Sequence, residues 1–319
     1  TLSGFFGMDL KQIRTFVAVY EGGSINSAAD RLRVAQPSLS LQVKNLEESV
    51  GVALFERHAR GVRPTAAGER FYEDCRRILG NVESAAQNMR EFATGVSGAL
   101  DVGLIPTITK GALAELLPPF AEDLHNVDIR VVEAFSGTLT DWVMSGELDF
   151  AVVTEPPRHD GLEMRVLSSE PLAMISGRDT GRRHLEPVSL SELPPIKLVM
   201  PSRQHSLRTM VERYIKVGNI KIERVIEIDG LFGTLEFIRN SDFSGIFPVT
   251  TIVRDLHKGE YIVNPLEDLQ TTLEYFLVHQ TQRPLSPAAR ELVIRLEAAL
   301  HKTSDAWAKV VAKSADVAA

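Results

Sequence analysis

The chain has 319 residues, 44% hydrophobic and 24% charged, with a formal net charge of −7. This length gives room for two or three domains, and this composition excludes disordered, fibrous and collagen-like chains. A single cysteine excludes an intrachain disulfide, and no run approaches the roughly 18 apolar residues of a membrane span, so a cytoplasmic location is expected. The acidity is uneven, with nine Lys/Arg against seven Asp/Glu between residues 8 and 70 and 26 against 35 elsewhere. A mildly basic head on an acidic body is the distribution expected of a chain that meets nucleic acid. Residues 1–7 (TLSGFFG) precede Met8, which reads as a natural start.

From Asp9 three short helical patterns follow one another. The first runs from Leu10 to Tyr20, with Leu10, Ile13, Phe16, Val17 and Tyr20 on one stripe, and Gly22-Gly23 stops it. Ser24 is placed to cap a second helix from Ile25 to Leu32, whose Ala28 and Ala29 allow close packing. A third helix opens at Gln36-Pro37, where a missing N–H costs nothing, and ends at Gly51. Leu39, Val43, Leu46 and Val50 form its inward stripe. Gln36, Ser38, Ser40, Leu41, Gln42, Lys44 and Asn45 lie outward. This is helix-turn-helix spacing, and uncharged amides and hydroxyls are suited to base edges in a major groove. The next segment, LFERHARGVRPT, places Arg57, His58, Arg60 and Arg63 around Gly61 as a basic, hairpin-like wing suited to phosphates.

Thr65 is placed to cap a helix running from Ala66 to about Phe92, with Phe71, Cys75, Ile78, Leu79, Val82, Ala85, Ala86 and Met89 on one stripe. Such a long striped helix needs a partner, and a second copy is the simplest one. Cys75 reads as a small buried residue of this helix. The segment TGVSG (94–98) reads as a hinge, and beyond it strands and helices alternate. Strands are expected at 100–105, 127–134, 150–153, 172–175, 196–200, 223–228, 245–247 and 273–278. Helices are expected at 107–124, 138–145, 205–217, 231–239 and 286–300. Alternation of this kind predicts a mainly parallel sheet with helices on both faces. The alanine-rich tail, 302–319, reads as a loose helix or a disordered segment.

The phrases FVAVYEGGSINSAADRL, VAQPSLSLQVKNLEESVGVALFER and RGVRPTAAG resemble the LysR-type transcriptional regulators, and LPPFAEDLHNVDIRVVEAFSGTLTDWVMSGELDFAVV resembles their effector domain. The resemblance implies an α/β protein with an N-terminal winged helix-turn-helix (8–65), a dimerising linker helix (66–94) and a two-lobed effector domain (99–301), folded like a periplasmic binding protein. Lobe I is placed at about 99–167 and 272–300, and lobe II at about 168–271. Family positions reading bases match Gln36, Pro37, Ser40, Leu41 and Gln42. An arginine is common in the family where Leu41 stands, so a thymine methyl is the expected contact here. Leucine is common where Pro64 stands, which implies a local change in the wing. The family also implies homotetramers, and RNA polymerase as a partner if the protein is an activator.

Ligands of α/β folds sit beyond the carboxyl ends of strands, near helix N-termini. Three junctions meet that description: Ile105-Pro106-Thr107, Ser136-Gly137-Thr138, and Pro201 to His205. Thr107, Thr138 and Ser202 supply hydroxyls, and Arg203 and His205 offer positive charge, which suits an acidic or amide-bearing metabolite. Family positions bordering the effector match Thr107, Ser202 and Phe247-Pro248. The family's glycine-rich phrase is altered here to Asn240-Ser241-Asp242-Phe243-Ser244-Gly245, implying a more polar rim. No metal-ligand cluster, phosphate loop or nucleophile elbow is present in the sequence, so neither cofactor nor catalysis is expected. The expected function is a DNA-binding regulator of a pseudo-palindromic promoter that responds to a small molecule between its lobes. The rival is a small-molecule-binding or transport-type protein whose first domain only oligomerises.

Overall fold

The structure is a computed structural model that describes residues 8–58, 61–94, 96–156, 158–216, 220–267 and 272–318. Its contacts divide the chain into two compact units, Thr1–Ala93 and Thr94–Ala319.

The first unit begins with helix α1 (Leu10–Gly22), opened by a reciprocal box. The Gln12 N–H donates to the Asp9 carboxylate at 2.7 Å, and the Asp9 N–H donates to Gln12 Oε1 at 2.9 Å. Gly23 closes it in the left-handed region, at φ 63°. Helix α2 (Ile25–Leu32) is capped by Ser24, whose hydroxyl oxygen accepts from the Ser27 N–H at 3.1 Å. Helix α3 (Gln36–Val50) starts with proline in its first turn and ends at Gly51, also left-handed at φ 72°. Strands β1 (Phe55–His58) and β2 (Gly61–Pro64) pair as an antiparallel hairpin, His58 opposite Gly61 and Phe55 opposite Pro64. Thr65 caps helix α4 (Ala66–Thr94), accepting from the Gly68 N–H at 3.0 Å.

Phe16 is the centre of this unit. It is fully buried, with Phe71 and Phe55 ring centroids 5.1 and 5.2 Å away, so α1, the hairpin and α4 share one core. Leu10, placed by its spacing on the inward stripe, is 42% exposed at the first position of the helix. The α4 stripe divides: Cys75 is buried and Phe71, Ile78 and Leu79 pack on the core, whereas Met89 is 66% exposed.

The second unit runs β3 (Gly98–Leu104), α5 (Pro106–Ile108), a π-helical turn (Thr109–Leu113), α6 (Ala114–Asp123), β4 (Val127–Glu133), α7 (Ser136–Ser145), β5 (Phe150–Val153) and β6 (Leu162–Ser176). It continues through β7 (Ile196–Met200), α8 (Ser206–Lys216), β8 (Ile222–Glu227), α9 (Leu231–Arg239), β9 (Ser244–Pro248), β10 (Ile262–Pro265), β11 (Thr272–Gln280) and α10 (Pro287–Ala318). The strand order is β4-β3-β5-β11-β6-β9-β7-β8, with β10 beside β6.

The sheet is mixed, which corrects the expectation of a mainly parallel one. The outer strands are parallel, β4-β3-β5 on one side and β9-β7-β8 on the other. Every pairing made by β6 and β11 is antiparallel. The cause is topological: β6 pairs with β11 over residues 162–171 and with β9 over 172–176, so one strand belongs to both halves of the unit. Only its second part was expected, because exposed Glu163, Arg165 and Ser169 and the Pro171 break mask the first. Pro171 is tolerated because it lies at the end of the pairing with β11, opposite Thr272.

Of the two states expected for the tail the structure shows the helix, packed at Trp307 rather than loose. Helix α10 does not end near Leu300 but continues to Ala318. Its first half buries Ala289, Leu292, Leu296 and Leu300 in the same core as Leu116 and Phe120 of α6. Its second half buries Trp307, 5% exposed, in a separate core with Val249, Ile252, Leu256 and Val263. One helix therefore joins both halves. Close by, the π turn meets the 3-10 turn Val249–Thr251 so tightly that a Cβ at Gly111 would stand 2.3 Å from the Thr250 carbonyl oxygen.

Candidate DNA interface and ligand cleft

In the first unit, α1 and α2 bury the inner stripe of α3, namely Leu39, Val43 and Leu46. The opposite face is open. Gln36, Pro37, Ser38, Lys44 and Asn45 are exposed, Ser40 is half-buried, and Leu41 presents an uncovered aliphatic tip at 57% exposure. Gln42 is oriented by its neighbours: its Oε1 accepts from the Thr15 hydroxyl at 2.8 Å and its Nε2 donates to Ser38 Oγ at 3.4 Å. Lys44 makes a surface pair with Glu48 at 3.5 Å, too exposed to neutralise it.

The hairpin is fixed beside this face. Glu47 near the end of α3 accepts the N–H groups of Leu54 and Phe55 at 2.8 and 3.0 Å. On the other side the Val62 N–H donates to the Gly23 carbonyl at 3.1 Å. That approach is why residue 61 is glycine: its φ is 138°, and a Cβ would lie 2.5 Å from the Gly23 oxygen. Arg63 is exposed on β2. The side chain of Arg57 and all of Arg60 lie outside the described residues.

A second polar cluster in this unit has no signature in the sequence. Glu21 pairs with Arg31 at 2.6 Å and Arg76 at 3.6 Å, and accepts from the Tyr72 hydroxyl at 3.0 Å. Tyr72 stacks on Tyr20 with centroids 3.9 Å apart. Burial pushes the Glu21 carboxyl up, but the Arg31 and Tyr72 hydrogen bonds and the two guanidinium charges outweigh it and hold it below its ordinary value. The cluster ties α1 and α2 to α4.

In the second unit a cleft, partly open to solvent, lies where the two halves of the sheet meet. Ile105, Pro106 and Thr107 enter from the β3–α5 junction, and Ser136 from the start of α7. His205 comes from the start of α8, and Phe247 and Pro248 from the end of β9. Thr138, Ser202 and Arg203 do not line it. Thr138 and Arg203 are exposed, and the Ser202 N–H donates to Asp229 at 2.7 Å. Arg203 borders a different surface groove with Arg208 and Lys216, so the guanidinium that favoured an acidic ligand is not in the cleft. Residues 240–245 do not form its rim either. Phe243, Ser244 and Gly245 are buried in the sheet, and Asp242 pairs with Lys197 at 2.6 Å.

Sequence reasoning missed Phe135, Thr154, Ser206, Asp229 and Thr234, which also line the cleft. Asp229 and Thr234 flank the start of α9, a junction of the same kind as the three named from the sequence. A hydroxyl chain crosses the floor, from Ser136 Oγ to Thr154 Oγ1 at 3.1 Å and on to Ser206 Oγ at 2.8 Å. The His205 ring meets Phe135 edge-on at 4.3 Å. Burial lowers the His205 pKa, and the nearby Asp229 only partly restores it, so the ring is neutral at pH 7. The Asp229 carboxyl is held below its ordinary value, chiefly by the Ser202 N–H. Thr107 Oγ1 and His205 Nε2 are shielded from solvent and have no hydrogen-bond partner of good geometry.

Behind the cleft Glu170 is fully buried on β6 and accepts from both the N–H and the hydroxyl of Thr250. Burial pushes its carboxyl up to about 7 against those two bonds. No group of His, Cys, Asp and Glu that could hold a metal ion is present among the described residues, and none of the described helices is long and apolar enough to cross a membrane.

Comparison with known proteins covers both units. Residues 10–69 match the family model described as bacterial regulatory helix-turn-helix protein, lysR family, and residues 93–300 match the LysR substrate binding domain. The transcriptional regulator BbuR of Bordetella bronchiseptica is 29% identical over 265 residues, covering 82% of this chain and 80% of that one. GbpR of Azospirillum brasilense is 26% identical, covering 92% and 86%. Among solved structures, a full-length cysteine variant of OxyR from Pseudomonas aeruginosa superposes with a TM-score of 0.68 at 23% identity, covering 92% and 95%. Full-length CbnR complexed with its target DNA gives 0.54 at 23% identity, covering 92% and 100%.

Proposed function

The chain belongs to the LysR family of DNA-binding transcriptional regulators, and from that membership we propose how its parts are used. Residues 8–65 are the winged head, 66–94 the linker and 99–301 the effector domain. Gln36, Ser38, Ser40 and Leu41 face the bases, and Pro37 sets the first turn of the helix that carries them. Gln42, oriented by Thr15, offers its amide nitrogen to the same groove. Lys44, Arg57, Arg60 and Arg63 take phosphates. The observation that supports this most is the open polar face of α3 beside an arginine-bearing hairpin. Retardation of a fragment from upstream of the chain's own gene tests it. A protein that only binds and carries a small molecule would leave the fragment unshifted.

Arg63→Ala is expected to weaken specific and non-specific DNA alike and to lower the slope of log affinity against log salt by about 1. Titrations at several salt concentrations read this. A loss confined to the specific site would place Arg63 on bases instead.

Two such heads joined through the exposed outer half of α4, where Met89 stands uncovered, would read a site with approximate two-fold symmetry. Pairs of dimers make the tetramer. The protein works in the cytoplasm, has no catalytic activity, and meets RNA polymerase where it activates. Its signal is a small molecule in the cleft lined by Ile105, Pro106, Thr107, Ser136, His205, Phe247 and Pro248. The ligand biases how the lobes and subunits pair, and through them the bend of promoter DNA. A thiol switch is not the signal. Three solved structures of similar fold are OxyR cysteine variants, one of them with bound H2O2, whereas this chain's single cysteine lies on α4. Burial, aided by the Asp74 charge, pushes the Cys75 thiol up to about 12, so no thiolate forms at neutral pH.

A further inference from the structure

The charge in the cleft narrows the chemistry of its ligand, given that the cleft is the effector site. Its walls are largely apolar, with Phe135, Phe247, Ile228 and Leu273 among them. Two lining groups ionise, Asp229 and His205, and no Lys or Arg lines the cleft among the described residues. The nearby guanidinium of Arg208 is already occupied by Glu212 at 2.7 Å and by the Pro201 carbonyl at 3.0 Å. Asp229 is ionised at neutral pH and His205, its neighbour at 3.6 Å, is not, so the cleft carries one net negative charge. The Ser202 N–H and the Ser202 hydroxyl both donate to Asp229, which takes up two of a carboxylate's roughly four lone-pair positions and leaves the others for a ligand.

The opposite wall offers the reverse polarity. Helix α7 begins with Phe135 in the capping position, which supplies no side-chain acceptor, so its first N–H groups stay open. Beside it stands the Thr107 hydroxyl, shielded from solvent and close to the buried Tyr275 hydroxyl. Donors on the β3–α5 and α7 side thus face a carboxylate on the α9 side, between largely apolar walls and across the Ser136-Thr154-Ser206 hydroxyl chain. A ligand with only an acidic group would satisfy the first wall and be repelled by the second. A ligand with only an amine would leave the first wall's donors bare.

We propose that the effector is a small zwitterion with an apolar body, its carboxylate at the start of α7 and Thr107 and its ammonium on Asp229. Asp229 is then the residue that selects for the amine, and a ligand bridging both walls draws the two lobes together.

Three probes sharing a phenyl body separate the terms: L-phenylalanine, its deaminated acid 3-phenylpropanoate, and phenethylamine, which lacks the carboxylate. Each is added at millimolar concentration to the full-length protein, and the melting of the effector unit is followed. Phenylalanine is expected to raise the melting temperature most, with at least a tenfold lower apparent Kd than 3-phenylpropanoate. Asp229→Asn keeps an oxygen for the Ser202 N–H. It is expected to erase the advantage of phenylalanine while leaving the response to 3-phenylpropanoate equal or stronger. A shift from 3-phenylpropanoate as large as that from phenylalanine overturns the proposal. So does an unchanged phenylalanine response in Asp229→Asn, or no shift from any probe. Leu231→Trp, which fills the cleft, separates this from a misplaced site. A shift it abolishes belongs to the cleft whatever the ligand class, and a shift that survives it places the ligand elsewhere.

Discussion

Phe16→Ala is expected to unfold the N-terminal unit and abolish DNA binding while the effector unit melts at its native temperature. Phe16 is fully buried, and its ring meets those of Phe55 and Phe71 at 5.2 and 5.1 Å, so the truncation empties the point where three elements converge. Such losses cost about 3–5 kcal/mol. A head of this size sits near the lower end of the roughly 5–15 kcal/mol range of domain stability, so the folded population is largely lost. The effector unit has cores of its own, which share no residue with that of the head. Calorimetry should show one transition lost and one kept. A single shifted transition would mean that the two units unfold together.

The second large effect is expected far from any binding residue. Trp307→Ala should destabilise the effector unit by about 3–5 kcal/mol, or roughly 10 °C in Tm, because it empties the core formed with Val249, Ile252 and Leu256. It lies beyond residue 300, where the match to the family's substrate-binding domain ends. A dispensable appendage would tolerate the change within about 0.5 kcal/mol. That smaller value would show the extension of α10 to be ornamental to the fold.

The difference between these two positions explains what could be read in advance. Phe16 sits in an uninterrupted 3.6-residue pattern bounded by Asp9 and Gly23, and local rules suffice for such a segment. The same holds for Ser24, Pro37, Gly51 and Thr65, each of which marks a helix end by its own chemistry. Trp307 sits in a run of alanine, lysine and serine, and only the distant surface it covers gives it meaning. Likewise β6 alternates poorly because one strand serves two halves of a sheet, and β10 is too short for a period to show. The cleft was legible at Ile105-Pro106-Thr107, Ser136 and His205 because strand-to-helix junctions announce themselves by hydroxyls and proline. Asp229 and Thr154 were not, since their place depends on how strands from opposite halves are juxtaposed. Arg203 shows the converse: adjacency in sequence to His205 did not carry it into the cleft. The Glu21 cluster joins residues from α1, α2 and α4, a separation that no local window spans.

The most direct test is a fluorescence anisotropy titration of a labelled fragment from the chain's own promoter, run beside a scrambled fragment of equal length, for the native protein and Gln36→Ala. If the outward face of α3 lies in the major groove, the native protein prefers the promoter fragment. Gln36→Ala then gives up about 1–3 kcal/mol of that preference while its affinity for the scrambled fragment is unchanged. A Gln36→Ala protein that keeps the full preference would contradict the placement of α3 against the bases.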